Sequence, residues 1–343
     1  MAQIDKPNLH FNTKLYTGNG GTQAVTGVGF QTDWCWIKNR GVAESHVLFD
    51  SVRGVQKAIN SNSTSAESTS SNYLTAFGTD GFTVGASGLV NDNSNTYASW
   101  NWKAGTTSGI TQGGASITPS SYSFNATSGF SIIKWTGTNA NATIPHGLGV
   151  APKMIIIRRI DSTSDWAIYH HKIGNTKRMV LNSTAAESGA SANWFNNTSP
   201  TANVFSVGTD GGSNGSTDNY IAYCFVEKKG YSKFGSYTGN GNADGAFVYT
   251  GFKPKLVIVK EYGSTGNWIM KNDYYDNQND HYLLANSSDA ETSGSVVAFD
   301  LLSNGFKLRG TAGDSNGNGA SILYMAFAEN PIVGSNNVPA TAR

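Results

Sequence analysis

The groups of this 343-residue chain that could do chemistry are 6 histidines, 2 cysteines, 23 acidic residues and a large supply of serines. The histidines are His10, His46, His146, His170, His171 and His281, and they fall at unrelated places in a sequence that repeats itself. A metal or acid–base centre built into a repeat would recur with it. Adjacent strand residues point to opposite faces, so His170 and His171 are not expected to share a metal. Cys35 and Cys224 lack zinc-type spacing to other Cys or His residues. Each lies in an aromatic run and reads as a buried thiol rather than half of a disulfide. No Gly-x-Ser-x-Gly elbow supports a hydrolase, and among 23 acidic residues some pair falls within the ~5–9 Å of a glycosidase by chance. The sequence therefore predicts a protein that is not an enzyme, with no catalytic residue, no resident metal and no cofactor.

Two weaker signals remain. Asp314-Ser315-Asn316-Gly317-Asn318-Gly319 has oxygen-bearing side chains at alternating positions and Gly at the sixth, like half of a calcium loop. Its twelfth position is Met325 where a bidentate Glu should stand. Tight turns use the same residues for conformational reasons, so a structural turn is expected. Two aromatic and amide-rich loops differ between the repeats: Trp194 to Ser199, and Asp273 to Tyr282. Aromatic faces beside planar amides suit a sugar ring and equally a wet protein contact. Trp194, Asn196, Asn197, Tyr274, Tyr275, Asp276, Asn279 and His281 are the candidate surface ligand contacts, with a host-surface glycan as the ligand considered.

The elements that must position these residues follow from composition and repetition. Gly supplies 40 residues and charged residues 14%, against usual shares of ~7% and ~25%. Such a chain makes many short strands and turns, not bundled helices. Hydrophobic residues at 38% argue against disorder, and a net charge of +1 argues against nucleic-acid binding. The longest apolar runs are strand-sized, so no membrane insertion is expected. Neither is a signal peptide legible in the first residues.

Three copies of one pattern are present. Trp34-Cys35-Trp36-Ile37-Lys38 recurs as Met154 to Arg158 after 120 residues and as Leu256 to Lys260 after a further 102. Asn62 to Glu67 recurs as Asn182 to Glu187 and Asn286 to Glu291. Each copy starts at an aromatic-Thr-Gly step (Tyr16, Trp135, Tyr237) and closes on an aromatic or apolar strand ending at Trp102, Phe225 or Phe327. The predicted fold is all-β, with three tandem related antiparallel β-sandwich repeats of jelly-roll or lectin-like type. The boundaries are 1–15 N-terminal attachment segment, 16–105 repeat 1, 106–129 linker with edge strands, 130–229 repeat 2, 230–331 repeat 3, and 332–343 C-terminal tail. Neither terminal segment is expected to bury much inside a repeat, and at least one of them is expected to be ordered by a neighbouring subunit. Trp36, Ile156 and Ile258 should point into equivalent cores, and Cys35, Ile155 and Val257 the opposite way. Asp80-Gly81, Asp210-Gly211 and Asn304-Gly305 are expected to form type I′ turns beside alternating strands. Helix is expected only in short turns, for example near Ala66-Glu67.

Several of these residues also resemble something known. Tyr-Thr-Gly-Asn-Gly at Tyr16 and Tyr237, the strand ending in Ile-Lys or Val-Lys, Leu283 to Glu291, Leu302 to Arg309 and Ala326 to Pro331 are similar to a repeat family widespread in marine bacteriophages. Its members are usually predicted tail fibres or other virion structural proteins. The resemblance implies a non-enzymatic virion protein of a tailed bacteriophage, made in the host cytoplasm without a signal peptide. A tail appendage or fibre for host attachment is the first expectation. A capsid decoration protein bridging capsomers is the second, and a glycan-binding lectin or depolymerase the third. The expected partners are other virion proteins and further copies of the chain, with a trimer favoured.

Overall fold

The computed structural model describes residues 3–189, 192–275 and 279–333; the chain within them is all-β with several antiparallel sheets. A first strand set comprises β1 (Phe11–Thr17), β2 (Gln23–Thr26), β3 (Trp34–Asn39), β4 (Val47–Asp50), β5 (Lys57–Ala58), β6 (Ser68–Thr69), β7 (Leu74–Gly78), β8 (Gly81–Val84) and β9 (Thr96–Trp102). The second has β10 (Ser121–Asn125), β11 (Phe130–Thr136), β12 (Ala142–Pro145), β13 (Met154–Arg159), β14 (Ala167–His170), β15 (Met179–Val180), β16 (Val204–Val207) and β17 (Asn219–Phe225). The third has β18 (Ser232–Thr238), β19 (Phe247–Tyr249), β20 (Phe252–Glu261), β21 (Trp268–Asn272), β22 (His281–Leu284), β23 (Thr292–Ser293), β24 (Phe299–Leu302), β25 (Gly305–Leu308) and β26 (Ser321–Pro331).

Each set builds one large sheet in the same order: β1-β9-β3-β4, then β11-β17-β13-β14 with β10 and β15 outside, then β18-β26-β20-β21 continuing to β22 and β23. The registers match as well. Trp34 pairs with Trp102 and Asp50, Met154 with Phe225 and His170, and Leu256 with Phe327 and Asn272. A small sheet covers one face of each large one: β2-β8-β7, β12-β16 or β19-β25-β24.

Strand parity decides where the core sits. Cys35 and Ile37, Ile155 and Ile157, and Val257 and Val259 lie in three separate apolar clusters, each between a large sheet and its small one. Trp36, Ile156 and Ile258 face the other way, as alternation requires. They enter not three equivalent cores but a single one, shared with Trp34, Trp100, Trp102, Tyr223 and Met325. This is why the β3, β13 and β20 runs are apolar on both faces. Burying a side chain of that size contributes about 1.5–3 kcal/mol.

The aromatic-Thr-Gly step has a steric cause. A Cβ on Gly18, Gly137 or Gly239 would stand 2.1, 2.1 or 2.4 Å from the carbonyl oxygen of Asp92, Gly215 or Gly317. Three other local expectations are corrected. The hairpin turns are Thr79-Asp80 and Ser303-Asn304, neither with positive φ, so they are not type I′. Gly81 and Gly305 instead begin the returning strands, where a Cβ would lie 2.1 Å from Val25 O or Val248 O. Asp210-Gly211 lies after β16 and forms no hairpin with it. The four-residue helices are α1 (Gly88–Asn91), α2 (Ala192–Phe195) and α3 (Gly313–Asn316), whereas Ala66-Glu67 is not helical and the Glu67 N–H donates to Ile160 O of the second set.

The N-terminal segment buries more than expected. Ile4 is buried in the shared core, its N–H donates to Lys229 O at 3.0 Å, and Phe11 already opens β1 against Trp102 and Phe327. An apolar side chain at the mouth of an aromatic core has a partner within its own chain. Gln3 Nε2 donates to Val333 O at 2.7 Å, so both described ends lie together. In 106–129, Ile110 and Ile117 are buried against the second set.

Candidate functional site

Residues that repeat in all three sets turn out to hold the sets together. The Glu67 N–H donates to Ile160 O at 2.8 Å, Glu187 to Tyr262 O at 2.9 Å, and Glu291 to Arg40 O at 2.9 Å, which runs first to second, second to third, third to first. In the reverse direction Trp166 Nε1 donates to Asn60 O at 2.8 Å and Trp268 Nε1 to Val180 O at 3.0 Å. His46 stands at the third equivalent place and accepts from Trp36 Nε1 at 2.8 Å. Tyr223 Oη donates to Asp50 Oδ2 at 2.7 Å and Trp100 Nε1 to Asn272 Oδ1 at 2.6 Å.

The basic residue ending each signature strand is fully buried at these seams: Lys38, Arg158 and Lys260. Arg158 Nη2 donates to Ser65 O of the first set and Lys260 Nζ to Thr184 O of the second at 3.2 Å. Lys38 has Asp289 and Glu291 of the third set nearby, partly offsetting a burial that holds it down to about 8. Burial likewise takes Lys260 down to about 8 and Arg158 to about 10. A two-pronged ion pair of 2.8 and 2.8 Å joins Arg40 to Glu291, and Arg40 also lies 4.8 Å over the Tyr274 ring.

The sequence missed a second recurrent group. Asn91, Asn214 and Asn316 end the short helices or follow one turn, and each is fully buried. The Asn214 Nδ2 donates to Ala140 O at 2.6 Å and Gly208 O at 3.0 Å, while its Oδ1 accepts from Thr138 N–H at 3.1 Å. Asn91 and Asn316 bond in the same way to the strand-start loops of their sets. In the Asp314–Gly319 loop, Asn316 thus turns amide N–H groups inward, and Asp314 Oδ2 accepts from Asn267 N and Nδ2 at 2.8 and 2.9 Å. Alignment of these asparagines at the end of each copy was the signal available.

The predicted ligand residues are not brought together by any contact among the described residues. Trp194 is 7% exposed, packed in the second-set core with Arg178 4.2 Å over its ring. An indole so covered leaves no open face for a sugar. Asn196 and Asn197 form a left-handed turn at φ 52° and 46°, and Asn197 O accepts from Asn175 Nδ2 at 2.7 Å. Tyr274 is half-buried against the shared core. Asn279 Nδ2 donates to Asp300 at 2.8 Å, and His281 Nδ1 lies 3.0 Å from Asp280. Asp276 and the Tyr275 side chain lie outside the described residues. The loop is anchored from below by Lys271, whose Nζ donates to Asn279 O at 2.7 Å and which burial takes down to about 7.

The His170 and His171 rings lie side by side, centroids 5.2 Å apart, because β14 ends at His170 and the chain turns there. His171 Nε2 is taken by Phe234 O at 2.9 Å. Burial lowers His46 strongly, His146 to about 4 and His170 to about 3. Both cysteines are buried free thiols, and burial pushes Cys224 up to about 12. A surface groove of about 180 Å³ lies where the linker crosses the second set, lined by Gly109, Phe124, Gly147, Gly149 and Asn203 among others.

A sequence family described as a domain of unknown function, DUF7483, matches residues 6–331. The chain belongs to that family. The matched span reaches from before β1 to the end of β26 and so takes in all three strand sets as one unit. No curated protein and no solved structure matches the chain.

Proposed function

We propose that this DUF7483 chain is a non-enzymatic structural protein of a tailed-phage virion, and that its strand sets are three tandem β-sandwich repeats at 16–105, 130–229 and 230–331. The observation that carries the reading is the cyclic set of seams. The residues that recur in all three repeats close the chain on itself, while the stretches at Trp194 and Asp273 differ in sequence from repeat to repeat. A body closed on itself, with stretches that vary from repeat to repeat, suits an appendage that meets a host surface, and many copies on one particle would raise avidity without new contacts. Antibody against the chain should label the tail of purified particles. Label over the whole head would overturn the tail assignment.

A second reading, capsid decoration, draws on the same closure. Three like sets around one core give a single chain the threefold outline that a homotrimer would otherwise supply, which suits a threefold position on a shell. Copy number decides: hundreds per particle mean decoration, tens or fewer a tail part.

A further inference from the structure

Each large sheet and its small sheet share one open side, and the second set shows what closes it. There the chain's own segment 106–129 covers both edges: β10 pairs along β11, and the Ser116 and Ile117 N–H groups both donate to Thr143 O of β12 at 3.0 Å. Thr143 N–H in turn donates to Ser116 Oγ at 2.8 Å, and Ile117 is buried in the second-set core.

In the third set the equivalent side is β18 with β19, and no strand among the described residues pairs with the outer edge of either. Thr250 N–H donates to Asn304 O at 3.0 Å and Leu308 N–H to Ala246 O at 3.0 Å, so even-numbered residues of β19 face β25. The backbone groups of Phe247 and Tyr249 therefore point outward, with Phe247 at the place of Thr143. On β18 the outward groups of Phe234 are engaged by His171 and Glu227, leaving Ser236 and Thr238. Phe247 is 47% and Tyr249 53% exposed, among the most exposed large apolar residues of the chain. Lys233 reaches between the two strands, its Nζ 5.2 Å over the Tyr249 ring, with no carboxylate paired to it among the described residues.

We propose that this side of the third set is a docking site for an extended segment of a partner protein. The segment adds beside Phe247 as residues 114–117 add beside Thr143, sets an apolar residue against Phe247 and Tyr249, and brings a carboxylate to Lys233. Main-chain bonds to a strand edge supply affinity, and the side chains on alternate positions supply selectivity. An exposed edge with aromatic residues is otherwise a hazard for self-association. The inference needs no virion, so it stands or falls separately from the reading above.

The test uses the full chain and a fluorescent decapeptide spanning residues 110–119, made with Thr118 and with Thr118→Glu. Anisotropy should saturate for both, more tightly for the Glu form, and that advantage should shrink as salt shortens electrostatic reach. The exposed double variant F247S/Y249S should keep the thermal midpoint and bind about tenfold more weakly or worse, a loss of about 1.4 kcal/mol. Leu15→Ser on the first set's open edge should leave binding unchanged. No saturable binding, or binding untouched by F247S/Y249S, overturns the proposal. So does self-association of the chain that F247S/Y249S abolishes in the absence of peptide binding, since the occupant would then be a second folded copy.

Discussion

Asn214 bonds four polar atoms on three residues with one carboxamide, and its counterparts Asn91 and Asn316 do the same for their own sets. Removing such a group leaves buried carbonyls without donors in a place water does not reach. Asn214→Ala should cost about 2–3 kcal/mol in urea unfolding, whereas Asn141→Ala, at an exposed position without positive φ, should cost a few tenths at most. Gly137→Ala should be worse than a propensity change, because the added methyl meets Gly215 O at 2.1 Å and the backbone itself must move.

Among the elements, those joining the third set back to the first are the informative ones. Arg40 and Glu291 are 251 residues apart, and their side chains are 22% and 10% exposed. A double-mutant cycle with Arg40→Ala and Glu291→Ala should give a coupling of about 1 kcal/mol, above most exposed ion pairs because the geometry is two-pronged. Deleting residues 1–10 should lower the thermal midpoint, since Ile4 leaves a gap in the shared core; an unchanged midpoint would contradict that packing.

The strands themselves were legible in the sequence. Apolar runs on both faces at Met154 to Ile157 required cover on both sides, and parity placed Ile156 opposite Ile155. What covers the second side was not legible, because Trp36, Ile156 and Ile258 read the same whether they enter three cores or one. The burial of Trp194 was not legible for a related reason. Trp194 carries the residue type of a sugar platform, but nothing local reveals that Arg178 and its own core cover the ring. The recurring basic residue at Lys38, Arg158 and Lys260 was the missed clue, a charge on the inward parity of a buried strand.

At the scale of the molecule, acid should weaken the fold. His46, His146 and His170 are held neutral by burial, with the folded values of the last two near 4 and 3. Below the ordinary histidine value of about 6.5 the unfolded chain takes up protons that the folded one refuses. Stability is therefore fully present above that value and falls as pH drops toward 4 and below, by up to about 1.4 kcal/mol per pH unit per histidine. Denaturant midpoints between pH 7 and 4 read this directly, and His170→Gln should flatten the slope; a flat profile in the parent would rule out the buried neutral state.

The shared core also sets a problem of birth order. Ribosomes deliver the chain from its N-terminus, and Trp34, Trp36, Trp100 and Trp102 all face a centre whose third wall begins at Ser232. Until that wall emerges, a nascent chain displays a slab of indole to solvent, the kind of surface that chaperones bind and that aggregates nucleate on. A polypeptide ending at Lys229 should consequently be insoluble or chaperone-bound despite containing two complete pairs of sheets, while its solubility as a monomer would mean that the first two sets close on each other without the third.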